Sequence, residues 1–212
     1  MSFFPSLGLF GAFVAASVLL ALTPGPDMAF FLTRTLRDGR SCGFAALAGA
    51  LSGVVVHTFA AALGLSALIA ASARAYDAVK IAGALYLLYL AWAALRHGAT
   101  LKFETGGAPG GLRSAYLAGL LINLTNPKII LFFVTFLPQF IDVGDPNPSA
   151  RFFVLGFSFI LIGGAINAAM IAVAGRFVAA ARANPRAMRG FDYGFAGLMG
   201  LFAARLIAGA AR

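Results

Sequence analysis

The chain has 212 residues, of which 61% are hydrophobic and only 11% charged, with a mean hydropathy of +0.91. A soluble domain carries roughly a quarter charged residues, so this composition excludes an ordinary soluble fold and places the chain in a membrane. The net charge of +9 falls in short segments between apolar runs, which implies anionic lipid headgroups, and not nucleic acid, as its partner.

The first thirty residues lack the basic start and short apolar core of a signal peptide, so the N-terminus is expected to be retained. Crossing a hydrocarbon core of roughly 30 Å takes about 20 apolar residues. Six runs qualify: 7–33, 43–72, 76–95, 114–141, 151–176 and 191–210. The second has no charge from Gly43 to Ala73, and the sixth, rich in Gly and Ala, is the weakest. Their length and lack of period-2 alternation predict helices rather than a transmembrane barrel.

The first run is interrupted by Leu22-Thr23-Pro24-Gly25-Pro26-Asp27-Met28, and the fourth by Leu124-Thr125-Asn126-Pro127-Lys128-Ile129. Pro26 and Pro127 are 101 residues apart, close to half the chain, and the offset sets Asp27 opposite Lys128. A proline removes a helical hydrogen bond and pushes away the carbonyl four residues earlier. Pro24, Gly25 and Pro26 are therefore expected to unwind span 1 for about a turn, and Asn126-Pro127 to break span 4, with Asn126 capping the half-helix that follows. In hydrocarbon the freed carbonyls need protein, water or ligand partners. The restarted helices offer free N–H groups to carboxylates. Paired broken spans in two halves of a chain are the best sequence-level pointer to the substrate site of a secondary transporter.

Basic residues sort the loops. Arg34, Arg37 and Arg40 follow span 1; Arg96, Lys102 and Arg113 follow span 3; Arg176, Arg182, Arg186 and Arg189 follow span 5. The other side holds at most Arg74, Lys80, Arg151 and Arg212. By the positive-inside rule both termini are expected outside, with Asp142, Asp145, Pro146 and Pro148 in an external turn. Three spans per half then require the second half to insert upside down. The expected fold is an all-α membrane protein of six helices in a 3+3 inverted repeat, one domain over 1–212. Repeat 1 covers about 1–97 and repeat 2 about 112–212, joined by a Gly/Pro-rich linker at about 98–111. Gly49 with Gly53, and Gly190, Gly194, Gly197 and Gly200, have helix-packing spacing, for the bundle interior or for a homodimer face.

Charge inside a membrane is expensive, about 2.5–3.5 kcal/mol on insertion scales, and marks function. Asp27 and Lys128 are therefore expected to face each other or a shared aqueous cavity. Lys128 and a half-helix N-terminus would hold a substrate carboxylate, and Asp27 an ammonium group or a coupling proton. His57 shares a helix face with Gly49 and Gly53 and suits a proton relay or substrate contact. Asn123 and Asn167 are further interior polar candidates. The plain alternatives are a structural kink, an Asp27 solvated at the headgroups and a satisfied core histidine. His57 and His97 are the only histidines and Cys42 the only cysteine, so no metal site, disulfide or cofactor is expected. No nucleophile or phosphate-loop motif supports an enzyme.

These residues resemble the LysE/RhtB amino-acid exporters of bacterial inner membranes. The match runs through Pro24-Gly25-Pro26, Gly39-Arg40 with Gly43, Gly49, Gly53 and His57, and Ala61-Ala62-Leu63-Gly64-Leu65. It continues through Lys80 with Gly83, Tyr86-Leu87 and Leu90, then Asn123 with Asn126-Pro127-Lys128, and Pro138-Gln139-Phe140. It is dense over about residues 10–141, and the last two spans match by pattern only. The resemblance implies a six-span carrier exporting amino acids, or close derivatives such as homoserine or its lactone, by proton antiport. Substrates in that family include basic, hydroxylated, sulfur-containing and branched amino acids. Asp27 as the one expected intramembrane carboxylate leans the reading towards neutral ones. The alternative is a non-transporting scaffold held through its glycine faces, although a scaffold has no use for matched breaks with opposite charges.

Overall fold

The computed structural model describes residues 7–97, 110–141 and 145–210, and every element among them is helical. Most of the linker with Lys102, and also Asp142 and Arg212, lie outside the described residues, as do the side chains of Lys80, His97 and Arg182.

Local chemistry sets the element ends. Helix α1 (Leu7–Leu22) stops before Thr23-Pro24-Gly25, and α2 (Pro26–Asp38) starts with proline at its first position, where the missing N–H is no loss. The two axes are bent by 50°. The break recurs between α6 (Leu112–Thr125) and α7 (Pro127–Leu131), again with a 50° bend and proline in the first turn. Here the Asn126 side chain accepts the Lys128 backbone N–H at 3.0 Å and caps the new helix.

Helix α3 (Arg40–Ala60) continues through a π-helical turn at Ala61–Leu65 into α4 (Ser66–Ala71), and α5 spans Ala73–His97. Ser149 donates its hydroxyl to the Ala62 carbonyl at 2.9 Å, which serves a carbonyl of the widened turn. Helix α7 runs on through a π turn at Phe132–Phe136 and a 3-10 turn at Leu137–Phe140. Pro138 cannot donate to the carbonyl four residues back, and the adjacent π turn absorbs that misfit. The chain ends with α8 (Pro148–Ala172), α9 (Ala174–Ala183) and α10 (Pro185–Ala210).

By length and composition, Arg40–Leu68 and Pro148–Ala172 can each cross a membrane, and each bent pair adds one more crossing if it is a single span. Within α5 the apolar stretch is Ile81–Arg96. Helix α10 packs along α5. Together the apolar helices make this a multi-pass membrane protein.

The closest packing joins α3 and α6. A Cβ on Gly49 would strike the Tyr116 carbonyl, and one on Gly119 the Ala46 carbonyl, so the two backbones touch. The α10 glycines differ: a Cβ at Gly190, Gly197 or Gly200 meets nothing within 4 Å, and at Gly194 only Leu19 at 3.8 Å. That stripe has the same spacing without bringing backbones together inside the chain.

The core is largely aromatic. Phe132 lies 4.5 Å from Phe159 and 5.0 Å from Phe136 between ring centroids, Phe136 lies 4.5 Å from Phe202, and Phe13 meets Phe140 edge-on at 5.5 Å. At the end of α2, Arg34 is only 6% exposed and pairs with Asp38 at 2.8 Å, while Arg37 makes a forked contact with the same carboxylate. A basic loop residue in the sequence is thus a buried ion pair in the fold. Asp145 pairs with Arg151 where α8 begins.

Candidate functional site

Where the two breaks approach each other they line a partly open cleft. Thr23, Gly25 and Asp27 line it from the first break and Asn123, Asn126 and Lys128 from the second. Leu20 and Ala21 of α1, Met28 and Phe31 of α2, Leu47, Ala50, Leu51 and Val54 of α3, Ile129 of α7, and Phe159, Ile160, Gly163 and Asn167 of α8 form the remaining wall. Apart from Asn167, the polar side chains come from the two breaks and the rest of the lining is apolar.

The polar contacts cross between the breaks. The Lys128 ammonium donates to the Thr23 carbonyl at 2.7 Å, which gives one of the carbonyls freed by Pro24-Gly25-Pro26 a charged donor. Asn123 donates its amide N–H to Asp27 Oδ2 at 2.8 Å. Both contacts tie the first break to donor side chains at the second. An ammonium has three N–H donors, so Lys128 keeps two beyond its bond to Thr23. Asp27 Oδ1 is buried without a protein partner, an acceptor position that favours a proton or a cationic N–H.

Asp27 and Lys128 line one cavity, but each takes a neutral partner, and no ion pair joins them among the described residues. Pro24, Pro26 and Pro127 break the helices without lining the cleft, and Pro26 and Pro127 are exposed. His57 stands behind the site. Its ring stacks on Phe133 with centroids 5.7 Å apart, and Nε2 lies 3.4 Å from the Asn123 carbonyl. Gly53, one turn earlier on that face, lets the Asn123 side chain approach α3. The histidine thus supports Asn123 rather than reaching the cavity.

Sequence reasoning missed the Thr23 carbonyl as a partner and, beyond Asn167, the α8 wall. The four-residue recurrence of Phe159, Gly163 and Asn167 is the signal that could have revealed the wall. It also passed over Asp192, only 2% exposed on α10, because a carboxylate near the start of a Gly/Ala-rich run reads as a solvated helix end.

Apolar helices, with two breaks beside one partly polar cleft, define a multi-pass membrane protein. The chain belongs to the LysE type translocator family, whose model matches residues 18–209. It is 31% identical over 210 residues to an uncharacterised membrane protein of Pseudomonas aeruginosa, covering 95% of this chain and 97% of that one. It is 35% identical over 151 residues to a leucine efflux protein of Klebsiella pneumoniae, covering 71% of each chain. A leucine efflux protein of Salmonella typhimurium is 32% identical over 167 residues, or 72% of this chain and 77% of that one. No solved structure matches this chain.

Proposed function

We propose that the protein exports neutral amino acids with aliphatic side chains across the bacterial inner membrane as a proton antiporter. The observation that carries this is the cleft itself, which sets a cation and a carboxylate at one end of an apolar wall. A free amino acid has the complementary form: carboxylate and ammonium on one carbon, side chain beyond. The two remaining Lys128 donors and the N–H groups of Asp27 and Met28 at the start of α2 take the substrate carboxylate. Asp27 Oδ1 takes the ammonium or, alternately, the coupling proton. Met28, Phe31, Leu47 and Val54 surround the side chain. The leucine efflux relatives support an aliphatic substrate. A second cationic group, as on lysine, has no further carboxylate in the cleft to meet, whereas homoserine or its lactone would leave much of the apolar wall uncovered.

In this reading the chain inserts as six spans in a 3+3 inverted repeat with both termini outside. The equal 50° bends and the direct contacts between the two breaks support it. The test is efflux of preloaded radiolabelled leucine and lysine from cells, with wild type, Asp27→Asn and Lys128→Ala matched for membrane level. Leucine export that collapses with the proton gradient and in both variants is expected. A correctly inserted wild type that moves no amino acid would overturn the exporter reading and favour the scaffold.

A further inference from the structure

We propose that one face of α8, carried by Phe159 and Gly163, sets the largest side chain the translocator accepts; this rests on the amino-acid export reading above. Residues four apart lie one above another on a helix, so Phe159, Gly163 and Asn167 form a single line along the cleft, and all three line it.

The chemistry changes along that line. Phe159 is 6% exposed, with its ring centroid 4.5 Å from that of Phe132 and 6.0 Å from that of Phe133. Locked into the aromatic core, it cannot swing aside and forms a fixed end wall. Gly163 is open: a Cβ built there meets no heavy atom within 4 Å. It therefore does not serve close helix packing, unlike Gly156 on the same helix, whose Cβ would strike Thr58. What the missing side chain leaves is cleft volume. At Asn167 the amide donates to the Gly163 carbonyl at 2.8 Å, holding that side chain along the helix and out of the space above Gly163.

With the α-carbon groups pinned at Asp27 and Lys128, a substrate side chain that runs along the α8 face enters the volume that Gly163 leaves and Phe159 closes. Adding bulk at 163 shortens the accepted side chain; removing the ring at 159 lengthens it. The two changes act in opposite directions on one axis, a pattern that loss of stability cannot imitate.

The experiment measures export of radiolabelled alanine, leucine and phenylalanine by wild type, Gly163→Val and Phe159→Ala, with membrane level and detergent melting temperature recorded for each. One methylene too many or too few in an apolar pocket is worth roughly tenfold or more. Gly163→Val is therefore expected to lower leucine export relative to alanine by about tenfold, and Phe159→Ala to raise phenylalanine relative to leucine by about as much. If either variant fails to accumulate, Gly163→Ala and Phe159→Leu carry the same test with smaller shifts of the same sign. Unchanged ratios in inserted variants, beside a wild type that exports leucine, overturn the size rule and leave the exporter reading standing. A wild type that exports none of the three overturns the exporter reading and the size rule with it.

Discussion

Replacing Gly53 by alanine probes whether the tight α3–α6 contact keeps the site in register. A methyl at position 53 would lie 2.6 Å from Asn123 Oδ1 and 3.0 Å from Asn123 Cβ. Ordinary contact begins at 3.4 Å, so Oδ1 must retreat by 0.8 Å. Asn123 is 2% exposed, and its planar amide moves as one piece. The same shift directed along its 2.8 Å bond to Asp27 Oδ2 takes that contact beyond hydrogen-bond reach. A hydrogen bond to a charged group is worth about 1.5–3 kcal/mol, which corresponds to roughly ten- to hundredfold in rate if the bond acts in transport. Overpacking adds about 1–3 kcal/mol of lost stability. The assay is the initial rate of leucine export per inserted protein, together with the melting temperature in detergent. Gly64→Ala is the control, because its methyl meets nothing within 4 Å. If Gly53→Ala exports and melts like Gly64→Ala, then Asn123 has room that the packing denies it, and its bond to Asp27 is not needed for transport.

Lys128→Met keeps the length of the side chain but leaves the Thr23 carbonyl without its 2.7 Å donor. It is expected to abolish leucine export and to cost about 1–3 kcal/mol of stability, seen as a lower melting temperature of the inserted protein. Gly156→Ala drives a methyl into Thr58, and the melting temperature should fall; Thr58→Ala in the same chain removes the two nearest atoms but leaves Cβ in the way, so it should restore part of the loss, and an additive double variant would refute the contact. Asp38→Asn removes the charge that pairs with the buried Arg34 and one of the two oxygens that accept from Arg37. Its melting temperature is expected to drop by several degrees, with partial recovery in Asp38→Glu.

The two breaks were legible from single residues because proline acts on its own backbone: it lacks an N–H and excludes the carbonyl behind it wherever the helix goes. Asn126 as a cap is equally local, since the group it satisfies is two residues away. Distance along the chain hid the rest. Periodicity locates a helix without saying how it is rotated against partners 60 to 100 residues away, so the sequence could not show that His57 packs on Phe133 and the Asn123 backbone. Identical glycine spacing marks a backbone contact at Gly49 and open surroundings at Gly190 and Gly197.

Composition and the proline pattern alone thus determined a membrane-embedded helical chain with two matched interruptions and one charge at each, because those properties belong to residues and their immediate neighbours. Tertiary structure decided that Lys128 reaches the Thr23 carbonyl rather than Asp27, that Asn123 holds the carboxylate, and that α8 closes the cavity with Phe159 and opens it at Gly163. Such choices depend on which helix faces meet, and that follows from packing the whole bundle at once.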